Sequence, residues 1–465
     1  MHEDLADFSL QYLKQHNADY AEARLETASN NSLILKNGIL EASGFDITAG
    51  LGIRYVINGT LGFVSINEFH KDRIKHLMDK SLNITKASSK FGQKTGLSRE
   101  KAYKAKYKFD QKIKFENVSP KDKIDLVKDF DNTIKELPAR YISYSDTVVQ
   151  KYFINTEGSK IESEIPMLSL YYFLTIGKKE SLQIYHPYGG TGGYELFKKW
   201  DLLKKVPEDV KALKLNIEKG VKCPKGNFDL VLGPMITGIA VHESVGHPYE
   251  ADRILGREAA QAGESFVTKD MINHQIGSNL VNVADDPTLQ WGYGSYLYDD
   301  EGVKAGQRLL IKNGKINEFL QNRETAFDMN ISSNGSSRAN NYDKEAIVRM
   351  ANTYMLPGSF NEDEIIKDVK NGIYIKTYNE WNIDDKRYQQ KYVGNEAYLI
   401  KNGKITNPVK KPTLEITTPS FWKAVDAVGK KVEFFAGDCG KGEPMQGISV
   451  WMGGPMIRLK DIALK

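Results

Sequence analysis

The sequence predicts an α+β fold, with a mixed N-terminal part and a β-rich C-terminal domain that carries a candidate metal-binding helix. Residues 2–17 place apolar side chains at the three- and four-residue spacing of an amphipathic helix. From Ala21 the pattern changes to the alternation of β-strands around Asn-Gly pairs, which favour tight hairpins. We expect an N-terminal region over 1–220, which could divide into two subdomains near 90–110, and a C-terminal domain over 221–465.

The N-terminal elements alternate between helical and strand-like patterns. Periodic apolar residues predict the helices, and Gly, Asn and polar clusters predict the connections. After the first helix, the predicted elements are a hairpin around Asn37-Gly38, a hairpin around Asn58-Gly59, a helix over 67–89, a polar loop or linker over 88–108, a helix over 122–137, two strand-like runs, a glycine loop over 188–195 and a helix to about Asp209.

The C-terminal part begins with "FDLVLGPMITGIAVHESVGHP", which contains an apolar strand, a Gly-Pro turn and a candidate helix of small and apolar residues. Strand- and turn-rich sequence follows. Lys-Asn-Gly recurs at 312–314, 370–372 and 401–403, and each Asn-Gly pair predicts a hairpin. Shared turn chemistry explains this recurrence without an evolutionary repeat.

Composition limits the function classes. The 465 residues include 64 Lys and Arg against 60 Asp and Glu, a net charge of +4. This near balance argues against a dedicated nucleic-acid binder, which concentrates a basic excess on one face. The sequence has no run of about 18 apolar residues, so no membrane span is expected, and its N-terminus lacks the apolar centre of a signal peptide. With two cysteines only, the protein is expected to be cytoplasmic with reduced thiols.

The stretch "AVHESVGHPYEAD" holds His242 and His247, five positions apart, with Glu243 after the first. A regular helix turns about 100° per residue, so the two imidazoles would point about 140° apart and could not bind one ion. A wide π-type turn, which pairs residue i with i+5, would bring them together. Alternatively the helix ends at Gly246, and Pro248 disfavours the helical region for the histidine before it. The sequence leaves both routes open.

Cys439 offers a distant third ligand. It lies among glycines in "FFAGDCGKGEPMQG" and is expected on an open turn, with its sulfur facing a cleft. Two imidazoles and one thiolate leave a fourth position free, which distinguishes catalytic zinc sites from closed structural ones. The small, apolar neighbours of the histidines also indicate a buried helix, where ionisable groups need a partner or a function. Cys223 precedes a proline in an interdomain turn and is expected to be structural.

Several stretches, in order along nearly the whole chain, resemble the TldD/PmbA family. They are "GLGIRYVINGTLGFVSI", "GGTGGYE", "HESVGHPYEAD", "YDDEGVKAGQRLLIKNG", "NGSSRANNY", "VRMANTYMLPG", "EAYLIKNGKITNPVKKPTL" and "DCGKGEPMQG". The presence of His242, Glu243, His247 and Cys439 favours the TldD-type, protease-bearing branch over the PmbA/TldE branch, which lacks the metal motif. One departure is "CGKGEPMQG", where we associate C-G-K-x-G-Q with the family. This departure keeps the ligand and changes only the adjoining loop.

The resemblance implies a zinc-dependent peptidase that acts on short or unfolded polypeptides. The family's two histidine ligands map onto His242 and His247, its glutamate onto Glu243 and its cysteine ligand onto Cys439. The long H-E-x-x-x-H spacing is then the family's own form. The resemblance further implies a dimer around an enclosed cavity, made with a TldE/PmbA-type partner or with a second copy. Family roles include degradation of small unstable proteins and maturation of peptide antibiotics. An older description as modulators of DNA gyrase gains no support from the balanced charge.

Glu243 is the candidate general base. It would take a proton from water and pass it to the leaving amine, and the alternative is a carboxylate on the helix surface. Glu250 and Asp252 could orient the histidines from behind or form ordinary salt bridges.

Substrate-binding residues are harder to predict. Arg338, Asn352 and Thr353 lie in turn-like or strand-like stretches and could hold a peptide backbone, with ordinary surface positions as the alternative. A peptide could also add as a strand to an exposed sheet edge, where main-chain hydrogen bonds supply affinity without selecting side chains.

Two other function classes compete with the peptidase. A non-catalytic binding or scaffold subunit could keep the motif, and metal content would distinguish it from the enzyme. The glycine loop "GGTGGYE" could bind phosphate, but it lacks the strand–GxGxxG–helix context and the lysine pattern of a P-loop.

Overall fold

A computed structural model describes residues 2–92, 94–177, 181–257, 264–442 and 445–464. The N-terminal part is built on one large sheet with helices packed against it. Its helices are α1 (Glu3–Gln15), α2 (Lys71–Ser88), α3 (Pro120–Thr133), α4 (Glu195–Trp200) and α5 (Leu202–Lys219). Its strands are β1 (Tyr20–Lys36), β2 (Ile39–Ile57), β3 (Thr60–Ile66), β4 (Lys104–Lys108), β5 (Ala139–Asn155), β6 (Lys160–Ile176) and β7 (Leu182–Thr191).

The N-terminal sheet has the order β3-β2-β1-β5-β6-β4, and β7 also pairs with β6. Both predicted hairpins are confirmed. Asn37 and Asn58 have φ values of 51° and 52°, and the glycines after them have φ values of 82° and 71°. This left-handed conformation at both central residues is that of the tight turn that Asn-Gly favours.

Two N-terminal predictions need correction. The end of the supposed linker over 88–108 is the strand β4, which lies parallel to β6. The helix expected to end near Asp209 continues to Lys219, because Val206, Val210 and Leu213 are buried at helical spacing beyond that point.

The C-terminal part consists mainly of strands. Its helices are α6 (Pro234–Val241), α7 (Ala251–Ile254), α8 (Arg323–Asp328), α9 (Glu362–Lys367) and α10 (Thr418–Lys423). Its strands are β8 (Val221–Lys222), β9 (Gly226–Leu232), β10 (Val283–Asp285), β11 (Arg308–Lys312), β12 (Lys315–Ile316), β13 (Ser337–Arg338), β14 (Ile347–Val348), β15 (Asn352–Met355), β16 (Asn371–Ile375), β17 (Tyr378–Ile383), β18 (Gln389–Gly394), β19 (Ala397–Lys401), β20 (Lys404–Lys410), β21 (Thr413–Thr417), β22 (Val425–Val428), β23 (Glu433–Lys441), β24 (Gln446–Gly454) and β25 (Ile457–Leu464).

These strands form several sheets around the helix α6. The sheet orders are β12-β11-β10-β15-β24-β23, β22-β25-β9-β16-β19-β20-β8, β17-β18-β21 and β13-β14. Helix α6 follows β9 directly and packs on β24, β15 and β23. Its residues Ile236, Ile239 and Val241 belong to the largest hydrophobic core of the C-terminal part. The observed architecture confirms a mixed α+β fold with a β-rich C-terminal part.

Two of the three Lys-Asn-Gly stretches are hairpins. Asn313 and Asn402 both have a φ of 48° and connect β11 with β12 and β19 with β20. The third prediction is wrong, because Asn371 and Gly372 begin strand β16. A side chain on Gly372 would come within 2.5 Å of a backbone oxygen of the neighbouring β9, so this glycine allows close strand packing. In the part of the chain that the structure describes, no helix is long and apolar enough to cross a membrane.

Candidate metal centre and catalytic site

The regular helix gives way to a π-type turn at the motif. Helix α6 ends at Val241, residues His242–Gly246 form the π-turn, and a short 3-10 turn follows over His247–Tyr249. The amide of His247 donates to the carbonyl of His242, five residues back. The sequence left open a π-type turn or a helix end at Gly246, and the structure has the π-type turn.

The expectation that Pro248 would move His247 out of the helical region is wrong. His247 keeps φ −59° and ψ −48°, although the residue before a proline usually avoids this region. The helical backbone continues through this position into the short 3-10 turn. The motif histidines therefore remain on one continuous, widened helical segment.

Neighbouring side chains hold the widened turn in place. The Ser244 hydroxyl donates to the carbonyl of Ala240 at 2.6 Å and accepts a hydrogen bond from the buried Trp422 indole at 3.0 Å. Gly246 packs against Met350 so closely that a Cβ there would overlap the methionine sulfur. Serine and glycine at these positions thus permit a local geometry that a regular helix lacks.

Cys439 reaches the motif from a strand. It lies in β23, opposite Ile448 of β24, and not on the open turn that was expected. Strand β23 ends two residues later at Lys441, and residues 443 and 444 lie outside the described residues. The guanidinium of buried Arg349 donates to the carbonyls of Cys439 and Gln446 and so joins the two strands. Sheet pairing, rather than a loop, positions the thiol.

The three candidate ligands converge. Potential ligand atoms of His242, His247 and Cys439 lie within 4.8 Å of one another, and all three residues are buried. The Cys439 sulfur is 3.3 Å from Nε2 of His247, and the two imidazole centroids are 4.9 Å apart. The Nδ1 atom of His242 is buried without a hydrogen-bond partner among the described residues. Such an orphaned nitrogen is unusual in a protein interior and indicates a missing partner.

Glu250 stands behind His247. Its fully buried carboxylate lies 3.0 Å from Nδ1 of His247, accepts a hydrogen bond from Arg253 at 2.9 Å and forms an ion pair with Lys441 at 3.3 Å. Because Nδ1 is occupied by this contact, Nε2 is left to face the thiol. A carboxylate in this place fixes the tautomer and orientation of a ligating histidine. Asp252 does not contact the histidines and instead accepts a hydrogen bond from Lys441 at 2.7 Å.

The ionisation states follow from burial and from this network. Burial lowers the pKa of His242 and His247, so both imidazoles are neutral near pH 7. Burial alone would raise the pKa of the Cys439 thiol, but His247 and Arg349 outweigh it and lower this pKa. Burial likewise opposes ionisation of Glu250, yet Lys441 and His247 hold its pKa well below the usual value. Neutral imidazoles and a thiol with a lowered pKa are suited to metal binding.

Glu243 is the second residue of the π-turn and is 4 % exposed. Its carboxylate forms an ion pair with Arg387 at 2.6 Å. Sequence reasoning missed Arg387, because nothing in "DDKRYQQ" distinguishes it from a surface residue. It also missed Lys441 and Arg349, which are connected to the motif only through the fold.

A cavity of about 660 Å³ opens beside these residues. His242, Glu243, His247, Arg387 and Cys439 all line it. Its other walls come from β7 of the N-terminal sheet and from β17 and β23. The volume is within the range of about 300–1,000 Å³ that is typical of ligand pockets. Both parts of the chain therefore contribute to the cavity.

The three residues considered for substrate binding lie elsewhere. Arg338 donates to the carbonyls of Met350 and Ser449 and lines a separate, smaller cavity. Asn352 is fully buried and bonds to backbone atoms and to Ser295, and Thr353 is fully buried as well. The structure does not bring them to the candidate ligands His242, His247 and Cys439, and we leave them out of the proposed site.

The predicted glycine loop over 188–195 is strand as far as Thr191, and this stretch packs against the C-terminal part of the chain. Gly189 and Gly190 belong to β7, and a side chain on Gly189 would come within 2.8 Å of the Tyr293 ring. The Trp451 indole donates to the Gly189 carbonyl at 2.7 Å. These glycines allow close packing between the parts. Cys223 lies apart from the cluster, half-buried, with its thiol 3.5 Å from the Pro224 carbonyl.

Sequence comparison identifies relatives over nearly the whole chain. The sequence matches the PmbA/TldA metallopeptidase C-terminal domain over residues 225–465, the central domain over 113–215 and domain 1 over 21–85. A protein of Methanocaldococcus jannaschii named as the metalloprotease MJ0996 is 33% identical over 95% of this chain and 96% of its own. A "zinc metalloprotease TldD homolog" of Saccharolobus solfataricus is 26% identical over 96% of both chains.

Solved structures share the fold at low sequence identity. A Thermotoga maritima protein, crystallised as a candidate modulator of a DNA gyrase, superimposes with a TM-score of 0.79 at 17% identity, with 100% of both chains covered. TldE from Thermococcus kodakarensis has a TM-score of 0.73 at 15% identity, with 99% of both chains covered. The matched domains and the identity to curated metalloproteases together show that the chain belongs to the PmbA/TldD family, in its TldD-type branch.

Proposed function

We propose that this protein is a zinc-dependent peptidase of TldD type that hydrolyses peptide bonds in short or unfolded polypeptides. The observation that carries the proposal is the convergence of His242, His247 and Cys439 at the wall of a cavity, with an orphaned imidazole nitrogen among them. The names of the relatives agree with a metalloprotease, and one of them specifies zinc.

The donor set fits zinc. Tetrahedral bonds of about 2.0–2.1 Å to nitrogen and about 2.3 Å to sulfur separate the two ligand atoms by about 3.5 Å. The observed distance from the Cys439 sulfur to Nε2 of His247 is 3.3 Å. When bound, zinc would lower the pKa of a water molecule and polarise the scissile carbonyl.

The remaining chemistry belongs to side chains of this protein. Glu243 is the proposed general base, since it adjoins a proposed ligand and faces the cavity. It would receive the proton of the attacking water and deliver it to the leaving amine. Glu250 would keep Nε2 of His247 directed at the metal through its contact with Nδ1. Burial of the motif would exclude bulk water from these groups.

Strand β17 supplies a binding edge for an extended peptide. Among the residues that the structure describes, it is an edge strand that pairs with β18, and Tyr378, Asn379, Glu380 and Trp381 line the cavity. Unpaired main-chain groups on this edge could bind a peptide by strand addition. Such binding needs an extended segment, which unfolded polypeptides provide and folded proteins do not. The substrate class is therefore defined by chain conformation more than by side-chain identity.

Partner binding is part of the proposal. We infer a dimer, with a TldE/PmbA-type subunit or with a second copy, that encloses the active-site cavity. Exposed apolar residues on the N-terminal sheet, such as Ile39, Phe45 and Ile47, offer a contact surface, with exposed fractions of 67%, 63% and 58%. We assign the peptidase domain to 221–465 and the N-terminal region to 1–220, and expect the protein in the cytoplasm.

Two substitutions test the function against the scaffold alternative. Glu243→Gln should keep zinc and fold, because the residue is not a proposed ligand, and lower peptide hydrolysis about 10²–10⁴-fold. Cys439→Ser should lose zinc affinity and activity together, because zinc prefers thiolate to a neutral hydroxyl. Zinc per chain is measured by elemental analysis, and hydrolysis with a fluorescence-quenched unfolded peptide. A folded protein without zinc, whose partner binding is unaffected by both changes, would support the scaffold.

A further inference from the structure

Arg387 occupies a hydrogen-bonded turn between β17 and β18. Its amide donates to the carbonyl of Asp384 at 2.9 Å, and the Asp384 carboxylate accepts the amides of Tyr388 and Gln389 at 2.7 and 3.1 Å. The Thr418 hydroxyl donates to the carbonyl of Arg387 at 2.7 Å. These bonds fix the backbone of the turn independently of the arginine side chain.

The backbone conformation of Arg387 is one that glycine or asparagine would adopt more readily. Its φ is 64°, in the left-handed region that long side chains seldom occupy. The side chain is nevertheless turned inward, only 15% exposed, with one guanidinium nitrogen 2.6 Å from the Glu243 carboxylate. Its Nε is buried without a hydrogen-bond partner in the described part of the chain. The turn therefore places a guanidinium with unused donor capacity in the cavity wall.

The ion pair with Glu243, the proposed general base, places this guanidinium near the proposed reaction. A general base must lie within hydrogen-bond reach of the attacking water, and the water within about 3–3.5 Å of the scissile carbon. Because Arg387 bonds to the same carboxylate and lines the same cavity, its guanidinium lies close to any carbonyl that this water would attack. Arg387, His242 and His247 also line the same cavity.

We propose that Arg387 is a catalytic residue that donates hydrogen bonds to the oxyanion of the scissile carbonyl, an inference that rests on the proposed peptidase function. Water oxygen bonds to the carbonyl carbon, the C=O electron pair moves onto oxygen, and the water proton goes to Glu243. The C–N bond then breaks, the electron pair returns to form the carbonyl, and the proton goes to the amine. Arg387 only donates hydrogen bonds in these steps, and it orients the Glu243 carboxylate by the existing ion pair.

Arg387→Gly isolates the side chain, because the backbone conformation suits glycine better than arginine. It should keep the fold and zinc content of the parent, with a lower thermal stability because the buried Glu243 carboxylate loses its ion pair. It should lower kcat by about 10²–10³-fold with little change in KM, the usual effect of removing an oxyanion donor. Arg387→Lys should recover part of this loss. The matched control is Lys411→Gly, at an exposed position with a φ of 48°, which should retain parent activity.

A binding measurement provides a readout that does not depend on turnover. A phosphinic peptide, whose tetrahedral oxygens resemble the oxyanion, should bind Arg387→Gly about 10²–10³-fold more weakly than the parent. The corresponding amide peptide is measured with two slow variants, Glu243→Gln alone and Glu243→Gln combined with Arg387→Gly. Its affinities for the two should be nearly equal. This contrast separates an oxyanion contact from a general loss of the binding site.

The outcomes separate the two proposals. A parent protein that loads zinc but cleaves no unfolded peptide refutes the peptidase function, and this inference with it. An active parent whose Arg387→Gly variant keeps both kcat and phosphinic-peptide affinity overturns the inference alone. If Arg387→Gly is poorly folded, Arg387→Asn takes its place, because asparagine also accepts the left-handed conformation.

Discussion

Glu250→Gln removes the charge behind the proposed metal ligand while changing side-chain shape very little. In the structure one carboxylate oxygen of Glu250 contacts His247, Arg253 and Lys441 at 3.0, 2.9 and 3.3 Å. The residue is fully buried. An amide oxygen can take the same position but cannot neutralise the two buried cations. The substitution therefore tests whether this carboxylate supports the metal site or only the fold.

The expected magnitudes follow from these contacts. Removing one partner of a buried ion pair costs about 3–5 kcal/mol, and we expect the lower end, because Asp252 still pairs with Lys441 at 2.7 Å. Zinc affinity should fall about 10–100-fold, the usual cost of losing the carboxylate behind a ligating histidine. Activity at saturating zinc should be recovered in large part.

The assay is a zinc titration in competition with a chromogenic chelator, together with urea unfolding of the metal-free protein. The matched control is Glu301→Gln. Glu301 is 1% exposed and pairs with Arg54 at 2.6 Å, and Arg54 keeps a second partner, Glu22, at 2.8 Å. Both variants should lose similar stability, and Glu250→Gln alone should lose zinc affinity. Equal zinc affinities in the two variants would refute the role given to Glu250.

Three further predictions concern the π-turn, the cavity wall and the exposed sheet. Gly246→Ala should lower stability by about 1–3 kcal/mol through overpacking and weaken zinc retention. The control Gly306→Ala, at a position with open space around it, should change neither. Thermal unfolding measures the stability, and elemental analysis measures the zinc. Burial lowers the pKa of His186 to about 4, so its contribution to stability is complete above the unfolded pKa of about 6.5 and decreases as the pH falls towards 4. His186→Gln should reduce the pH dependence of the unfolding free energy, measured by urea unfolding, by about 2 kcal/mol. This value is below the one that the full pKa shift would give, because the residue is partly exposed. Phe45→Asp should weaken dimerisation in sedimentation, and Ile84→Asp, at a comparably exposed site on α2, should not; a dimer unaffected by Phe45→Asp excludes this surface.

Local sequence signals predicted most of the fold. Asn-Gly turns gave the hairpins at Asn37 and Asn58, where the conformation is determined by the two turn residues themselves. The same pair at Asn371 gave a wrong prediction, because strand packing against β9 decided its conformation. Strand β4 was missed because its alternation is short and its partner β6 is more than 50 residues away. Local patterns thus succeed where local chemistry decides and fail where a distant neighbour does.

The candidate site divides in the same way. The irregular turn before His247 was predicted from the five-residue spacing, because helix geometry alone excludes a shared ion on a regular helix. The strand position of Cys439 could not be predicted, since it depends on pairing with β24 across the hairpin. Arg387 had no local signal, as its function depends on a contact 144 residues away in sequence. Tertiary contacts, rather than motif residues, complete the site.

X-ray absorption at the zinc edge tests the central claim most directly. We predict about one zinc per chain, bound by two nitrogen ligands at about 2.0–2.1 Å and one sulfur at about 2.3 Å, with a further light atom in the open position. In Cys439→Ser the sulfur scattering should disappear, and in Cys223→Ser it should be unchanged. A spectrum of the parent protein without a sulfur ligand, or one that Cys439→Ser leaves unaltered, would contradict the assignment of His242, His247 and Cys439 as the metal centre.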